Sequence, residues 1–157
     1  LEQVLATGDE RHALRRVVHD LRPPELETAS LPVILRAYVE RFEVRTGIAA
    51  SFREIGSVVP GEEVATCLLR VLQEALTNVS RHAGAREVGV VLELGEQGAS
   101  LEVADDGKGF DPAASTQGNG LRGMRERLAA CGGRVEISTA PGQGFSLDVR
   151  LPMETSP

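Results

Sequence analysis

The chain is poor in basic residues, in cysteine and in long apolar runs, and each shortage excludes a class of protein. Its 17 Lys and Arg stand against 23 Asp and Glu, leaving a net charge of -6 and a pI near 5.1. It therefore lacks the basic face that generic binding to nucleic acid or to an anionic membrane requires. A polyanionic ligand would need local donors or a metal. The two cysteines, Cys67 and Cys131, form neither a metal-type spacing nor a disulfide framework, which fits a reducing cytosol and leaves both as structural filler. No run approaches the ~18 apolar residues of a membrane span, and Leu1 opens no signal peptide. The chain starts without Met, so it reads as a cytoplasmic piece of a larger protein, whose own membrane anchoring is left open. With 157 residues, 41% of them hydrophobic, one single-core domain with an N-terminal appendage is expected. No internal repeat or low-complexity tract interrupts it.

The densest information lies in Val64 to Ala83, VATCLLRVLQEALTNVSRHA. At ~100° per residue Val64, Leu68, Leu72, Ala75, Leu76 and Val79 share one face, which predicts a helix buried against a sheet or another helix. Glu74, Asn78 and His82 follow at i, i+4 and i+8 along one edge of that face. Asn is a poor former of helix interiors, so this polar row either caps neighbouring backbone or lines a pocket.

The remaining elements follow from period and punctuation. Leu14, Val17, Val18 and Leu21 have helical spacing and stop at Pro23-Pro24, the end of a helix leading into a linker. Ser30 is placed to cap a helix with Pro32 in its first turn and Gly47 at its end. Ile48 to Ile55 alternates like a strand, and Gly84 closes the central helix. Glu87 to Leu94 and Ser100 to Ala104, joined by a short Gly-bearing link, predict an antiparallel hairpin. Leu121 to Cys131 reads as a short helix, and Arg134 to Thr139 and Phe145 to Leu151 as the last two strands. Three helices and about five strands arranged this way give an α/β two-layer sandwich. Its sheet is mixed and mostly antiparallel, with the helices on one face. The expected organisation is a helix end and linker over 1–29, a domain over 30–152 and a frayed tail over 153–157.

Between the hairpin and the short helix, DDGKGFDPAASTQGNG has many turn-formers and no apolar period. Loops of that length inside a compact domain are usually functional, and Asp111 to Gly118 in particular reads as a lid that a ligand would order. Gly118 and Gly120 open the next helix, where backbone N–H groups and the helix N-terminus favour a phosphate. Asp105, at a strand end with glycines just after it, can present a carboxylate to a flat ligand. A carboxylate accepts from the exocyclic amine of adenine and faces the carbonyl of guanine, so Asp105 would select ATP over GTP.

Taken together, these three segments resemble the ATP-binding domain of sensor histidine kinases, in the superfamily shared with DNA gyrase, the heat-shock chaperone ATPase and mismatch-repair ATPases. EALTNVSRHA over Glu74 to Ala83 is similar to the N box, Asp105 to Gly109 to the G1 box, and GNGLRGM over Gly118 to Met124 to the G2 box. GLRGMRERL and HDLRPPEL resemble the nitrate-sensor and desaturase-regulating subfamily. The resemblance covers about residues 14 to 151 and implies a Bergerat-type fold with ATP and Mg²⁺ as ligands. It implies Asn78 as the Mg²⁺ ligand and Glu74 as a general base or as the group orienting an attacking imidazole. It further implies that Asp105 binds the adenine amine, that Gly107 and Gly109 let the loop approach the base, and that Gly118, Gly120 and Leu121 form the phosphate end. His82 either touches a phosphate or contacts the last carbonyls of its helix; Lys108, Arg122 and Arg125 either add positive charge near the phosphates or, the favoured reading, are solvated face residues.

The implied partners are an upstream histidine-bearing dimerisation domain and the receiver domain of a response regulator, with no nucleic acid. The piece itself is expected to be monomeric and the full protein a homodimer. Two features depart from the resemblance. The family places Thr after its Gly-x-Gly turn, in support of the adenine-binding Asp, and here Gly142-Gln143-Gly144 is followed by Phe145. His19-Asp20 is similar to the phosphoacceptor pair, yet Pro23 follows only four residues later, which argues for an acceptor elsewhere. An anti-sigma-factor-type serine kinase and a non-catalytic nucleotide-binding module are the alternatives. HDLRPPEL disfavours the first and Glu74 the second.

Overall fold

The computed structural model describes residues 23–109 and 118–153. The expected helix over residues 14–21, His19, the lid residues 111–117 and the last four residues of the tail lie outside the described residues. The chain enters at Pro23 through a 3-10 turn over Pro24–Glu27, whose Leu26 is buried with the domain's core. Helix α1, Leu31–Thr46, has Ser30 at its N-cap position, but no side-chain hydrogen bond caps it. Pro32 in the first turn removes one of the donors such a cap would serve. Gly47, left-handed at φ 75°, ends the helix and turns it into strand β1, Ala49–Gly56.

Helix α2, Glu62–Asn78, is the expected central helix, with Val64, Leu68, Leu72, Ala75 and Leu76 all buried. Burying each of the Val and Leu side chains contributes about 1.5–3 kcal/mol. The α-helical hydrogen bonding stops four to five residues before the sequence pattern does, and Val79–Ala83 continues as a π turn. Hydroxyls compete for carbonyls at this point: Thr77 donates to Gln73 O at 2.8 Å and Ser80 to Thr77 O at 2.9 Å, which loosens the ladder. Gly84, left-handed at φ 56°, then releases the chain into the sheet.

Strands β2, Glu87–Gly95, and β3, Gly98–Asp105, form the hairpin. Helix α3, Gly118–Ala130, leads into β4, Arg134–Thr139, and β5, Phe145–Leu151. The sheet order is β1-β2-β3-β5-β4, parallel between β1 and β2 and antiparallel elsewhere. Its core-facing rows are Val88, Val90, Leu92 and Leu94 on β2, Ala99, Leu101 and Val103 on β3, and Phe145, Leu147, Val149 and Leu151 on β5. Across the sheet, α1 packs on β1, α2 on β3 and α3 on β4, the mixed two-layer architecture expected from the sequence.

Candidate functional site

One end of the sheet carries Asp105. The period of two that buries Ala99, Leu101 and Val103 carries on to Asp105, so a carboxylate terminates an apolar row. Its cross-strand neighbours are Val88 on β2 and Phe145 on β5, both buried. The same sheet end receives the end of α2, because the chain passes from Gly84 to Arg86 and enters β2 at Glu87. Asp106 fixes that junction: its Oδ1 accepts from the N–H groups of Arg86 at 2.8 Å and Glu87 at 3.0 Å. These two donations hold its carboxyl below the ordinary range.

Asp105 is held differently. Oδ1 accepts from Gly107 N–H at 2.8 Å, while Oδ2 is buried and has no hydrogen-bond partner. Burial pushes its pKa up; the backbone N–H groups of Gly107 and Phe145 oppose the rise, and the Asp106 charge adds to it. A buried acceptor without a donor costs about 1–3 kcal/mol and calls for an explanation. A ligand amine brought to the helix face of the sheet beside Val88 and Phe145 supplies one.

The flanks of α2 are assigned by its neighbours. Gln73 donates to the Tyr38 hydroxyl of α1 at 2.9 Å and accepts from Arg70 at 3.1 Å, so that flank belongs to α1. Glu74 and Asn78, about 100° and 140° further round the helix, lie half-buried away from that flank. The backbone of His82 falls in the π turn. Gly118 and Gly120 form the first turn of α3, and Leu121 follows, half-buried. The end of α2 therefore leads to the sheet end that carries Asp105, and α2 packs against both α3 and β3. Arg122 makes an exposed i,i+4 pair with Glu126 at 3.5 Å, and Lys108 and Arg125 are exposed, in keeping with solvated faces.

Gly109 also has a packing reason for being glycine. At φ +62°, a Cβ there would come within 2.3 Å of Ala140 O, 2.7 Å of Gly144 O and 2.9 Å of Thr139 Oγ1. Its smallness serves the packing of this loop on the β4–β5 turn. Phe145, where the resemblance places Thr, is buried opposite Asp105; Ser146 pairs with Ala104 and Ser138. The sequence reading missed the contribution of Thr139, whose hydroxyl donates to Gly144 O at 2.8 Å. Its position six residues before Phe145, in a hairpin with a five-residue turn, was the available signal.

No group of three or more His, Cys, Asp or Glu that could hold a metal occurs among the described residues. A Mg²⁺ ion held by one protein oxygen and the oxygens of a polyphosphate needs no such group, so the Asn78 amide fits that use.

Residues 63–155 match the family described as histidine kinase-, DNA gyrase B-, and HSP90-like ATPase. The chain is 37% identical over 144 residues to the signal transduction histidine-protein kinase/phosphatase DegS of Brevibacillus brevis, covering 90% of this chain and 37% of that protein. It is 35% identical over 154 residues to an uncharacterized sensor-like histidine kinase of Chloroflexus aurantiacus, covering 92% and 26%. It thus spans about a quarter to two fifths of these relatives' length. The histidine kinase domain of the Erythrobacter litoralis EL346 blue-light activated histidine kinase superimposes with a TM-score of 0.66 at 21% identity, covering 79% of this chain and 61% of that one. The catalytic domain of histidine kinase ThkA does so with 0.61 at 17%, covering 78% and 91%. These two likenesses concern the fold.

Proposed function

The chain belongs to the histidine kinase-, DNA gyrase B-, and HSP90-like ATPase family, and on that premise we propose that it is the Mg-ATP-binding catalytic domain of a sensor histidine kinase. It would donate the γ-phosphoryl group of ATP to a histidine on a dimerisation domain of the parent protein, from which a response regulator receives it. The observation that carries the reading is the buried, unpartnered Asp105 Oδ2 at the end of β3. Identity of 35–37% to two histidine kinases across nine tenths of the chain supports the reaction class.

In this reading each residue has a limited task. Asp105 Oδ2 accepts from the adenine amine, between the apolar walls of Val88 and Phe145. The backbone N–H groups of Gly118, Gly120 and Leu121, which lack intrahelical acceptors, face the phosphates with the positive end of α3 behind them. The Asn78 amide oxygen holds Mg²⁺, whose charge neutralises the phosphate oxygens. Glu74, one turn earlier on the same edge, takes the proton from the acceptor imidazole or orients it. His82 and Gly107 belong to the same site as nucleotide contacts.

In this reading the chain holds the phosphoryl donor and its metal, and the in-line nucleophile comes from elsewhere in the parent protein. Incubation of the chain with γ-labelled ATP should leave it unlabelled. Addition of the parent's histidine-bearing helices as a separate piece should yield a labelled histidine on that piece. Label on His19 of the isolated chain would contradict the division of labour, and label on a serine of another protein would favour the serine-kinase alternative.

A further inference from the structure

The loop that carries Asp105 is held by the β4–β5 turn as well as by the hydrogen bonds of Asp105 and Asp106. Gly144, at φ +72°, lies so close to Asp105 that a Cβ there would fall 2.4 Å from the Asp105 carbonyl oxygen and 3.5 Å from Asp106 Cα. Gly109 closes the other end of the loop against the carbonyls of Ala140 and Gly144. Two polar ties hold the halves together: Gly142 N–H donates to Lys108 O at 2.5 Å, and the Thr139 hydroxyl fixes the Gly144 carbonyl at 2.8 Å. That carbonyl is therefore both the acceptor for Thr139 and part of the wall against which Gly109 is pressed.

We propose that Thr139 is a positioning residue for nucleotide selection: its hydroxyl holds the Ala140–Gly144 turn against residues 105–109 and so aims the free oxygen of Asp105 at the base. This rests on the nucleotide-binding reading above. Thr139 itself belongs to β4, on the far side of β5 from Asp105, and acts through the turn. Removing the hydroxyl leaves the Gly144 carbonyl without its side-chain donor and frees the wall behind Gly109. The loop then relaxes, and an acceptor that discriminates by direction loses its aim.

Thr139→Val preserves the shape and β-branching of the side chain and removes only the donor; Thr139→Ser keeps the donor. Calorimetric titration of the chain with Mg-ATP and with Mg-GTP, alongside thermal unfolding, tests the proposal. Thr139→Val is expected to weaken ATP binding about tenfold, the effect of one unmade hydrogen bond at a site of this kind, and to narrow the ATP:GTP ratio. Thr139→Ser should restore both values with a melting temperature matching that of Thr139→Val. Unchanged ATP affinity and ratio in Thr139→Val would overturn it, as would equal loss for both nucleotides tracking a fall in melting temperature. Failure of the wild-type chain to prefer ATP would instead indict the nucleotide-binding reading itself.

Discussion

Replacing Asp105 with Asn should move stability and ligand affinity in opposite directions. In the free protein the carboxylate is partly desolvated, with Oδ2 unpartnered, and burial raises its pKa above the ordinary value. A carboxyl whose folded pKa exceeds its unfolded one weakens the fold as pH rises through the interval between them, and above the folded pKa the whole penalty is present. Asn keeps the oxygen that accepts from Gly107 N–H and removes the buried charge, so the melting temperature at pH 7 should stay level or rise, and its pH dependence just above the ordinary carboxylate range should flatten. Nucleotide binding responds the other way. An amide NH₂ facing the adenine amine replaces an acceptor with a donor, a loss of about 1–3 kcal/mol, or roughly five- to 150-fold in Kd. The wild-type affinity for ATP should also fall as pH drops through the raised pKa, because the protonated carboxyl accepts poorly, and the variant should lack this dependence. Calorimetry from pH 4.5 to 8 together with thermal melts reads both effects. A variant that melts markedly lower and binds ATP normally would refute the reasoning, since Asp105 would then be a structural acceptor.

Other substitutions separate the remaining roles. Glu74→Gln should leave ATP binding nearly intact and slow phosphotransfer in the parent kinase by about 10²- to 10⁴-fold; loss of binding would mark the carboxylate as structural. Asn78→Ala should abolish the Mg²⁺ dependence of nucleotide binding, measured by titration with and without chelator. Asp106→Ala frees the Arg86 and Glu87 donors, and because the Asp106 pKa is lowered, its contribution is present above the unfolded pKa and disappears as pH falls through the folded one. Wild type and variant should therefore differ in denaturant midpoint at pH 7 and converge in strong acid. Gly109→Ala should cost at least ~1 kcal/mol from its left-handed backbone alone, with more from the Ala140 and Gly144 carbonyls, and urea unfolding gives the figure.

Much of this arrangement was legible in the residues because it depends on period and spacing. The alternation that buries Leu101 and Val103 also dictates that Asp105 faces the helices, and the 3.6-residue repeat of Val64 to Val79 forces Glu74 and Asn78 onto one edge. What was not legible depends on approach between distant backbones. The purpose of Gly109 is set by carbonyls some 30 residues further on, in a turn whose contact with the loop no local pattern announces. The same holds for Thr139, which reads as an ordinary strand residue until β4 and β5 are paired. The π turn at Val79–Ala83 escaped because apolar spacing continues through Val79, while the hydroxyls of Thr77 and Ser80 that loosen the ladder face away from that stripe.

The central claim is that the free oxygen of Asp105 recognises adenine at the end of β3. A crystal structure of this chain with Mg-ADP tests it most directly. The account predicts the adenine amine within about 2.7–3.2 Å of Asp105 Oδ2, with the diphosphate at the first turn of α3 and the metal on the Asn78 oxygen. A nucleotide whose base lies elsewhere, or that leaves Oδ2 still unpartnered, would contradict it.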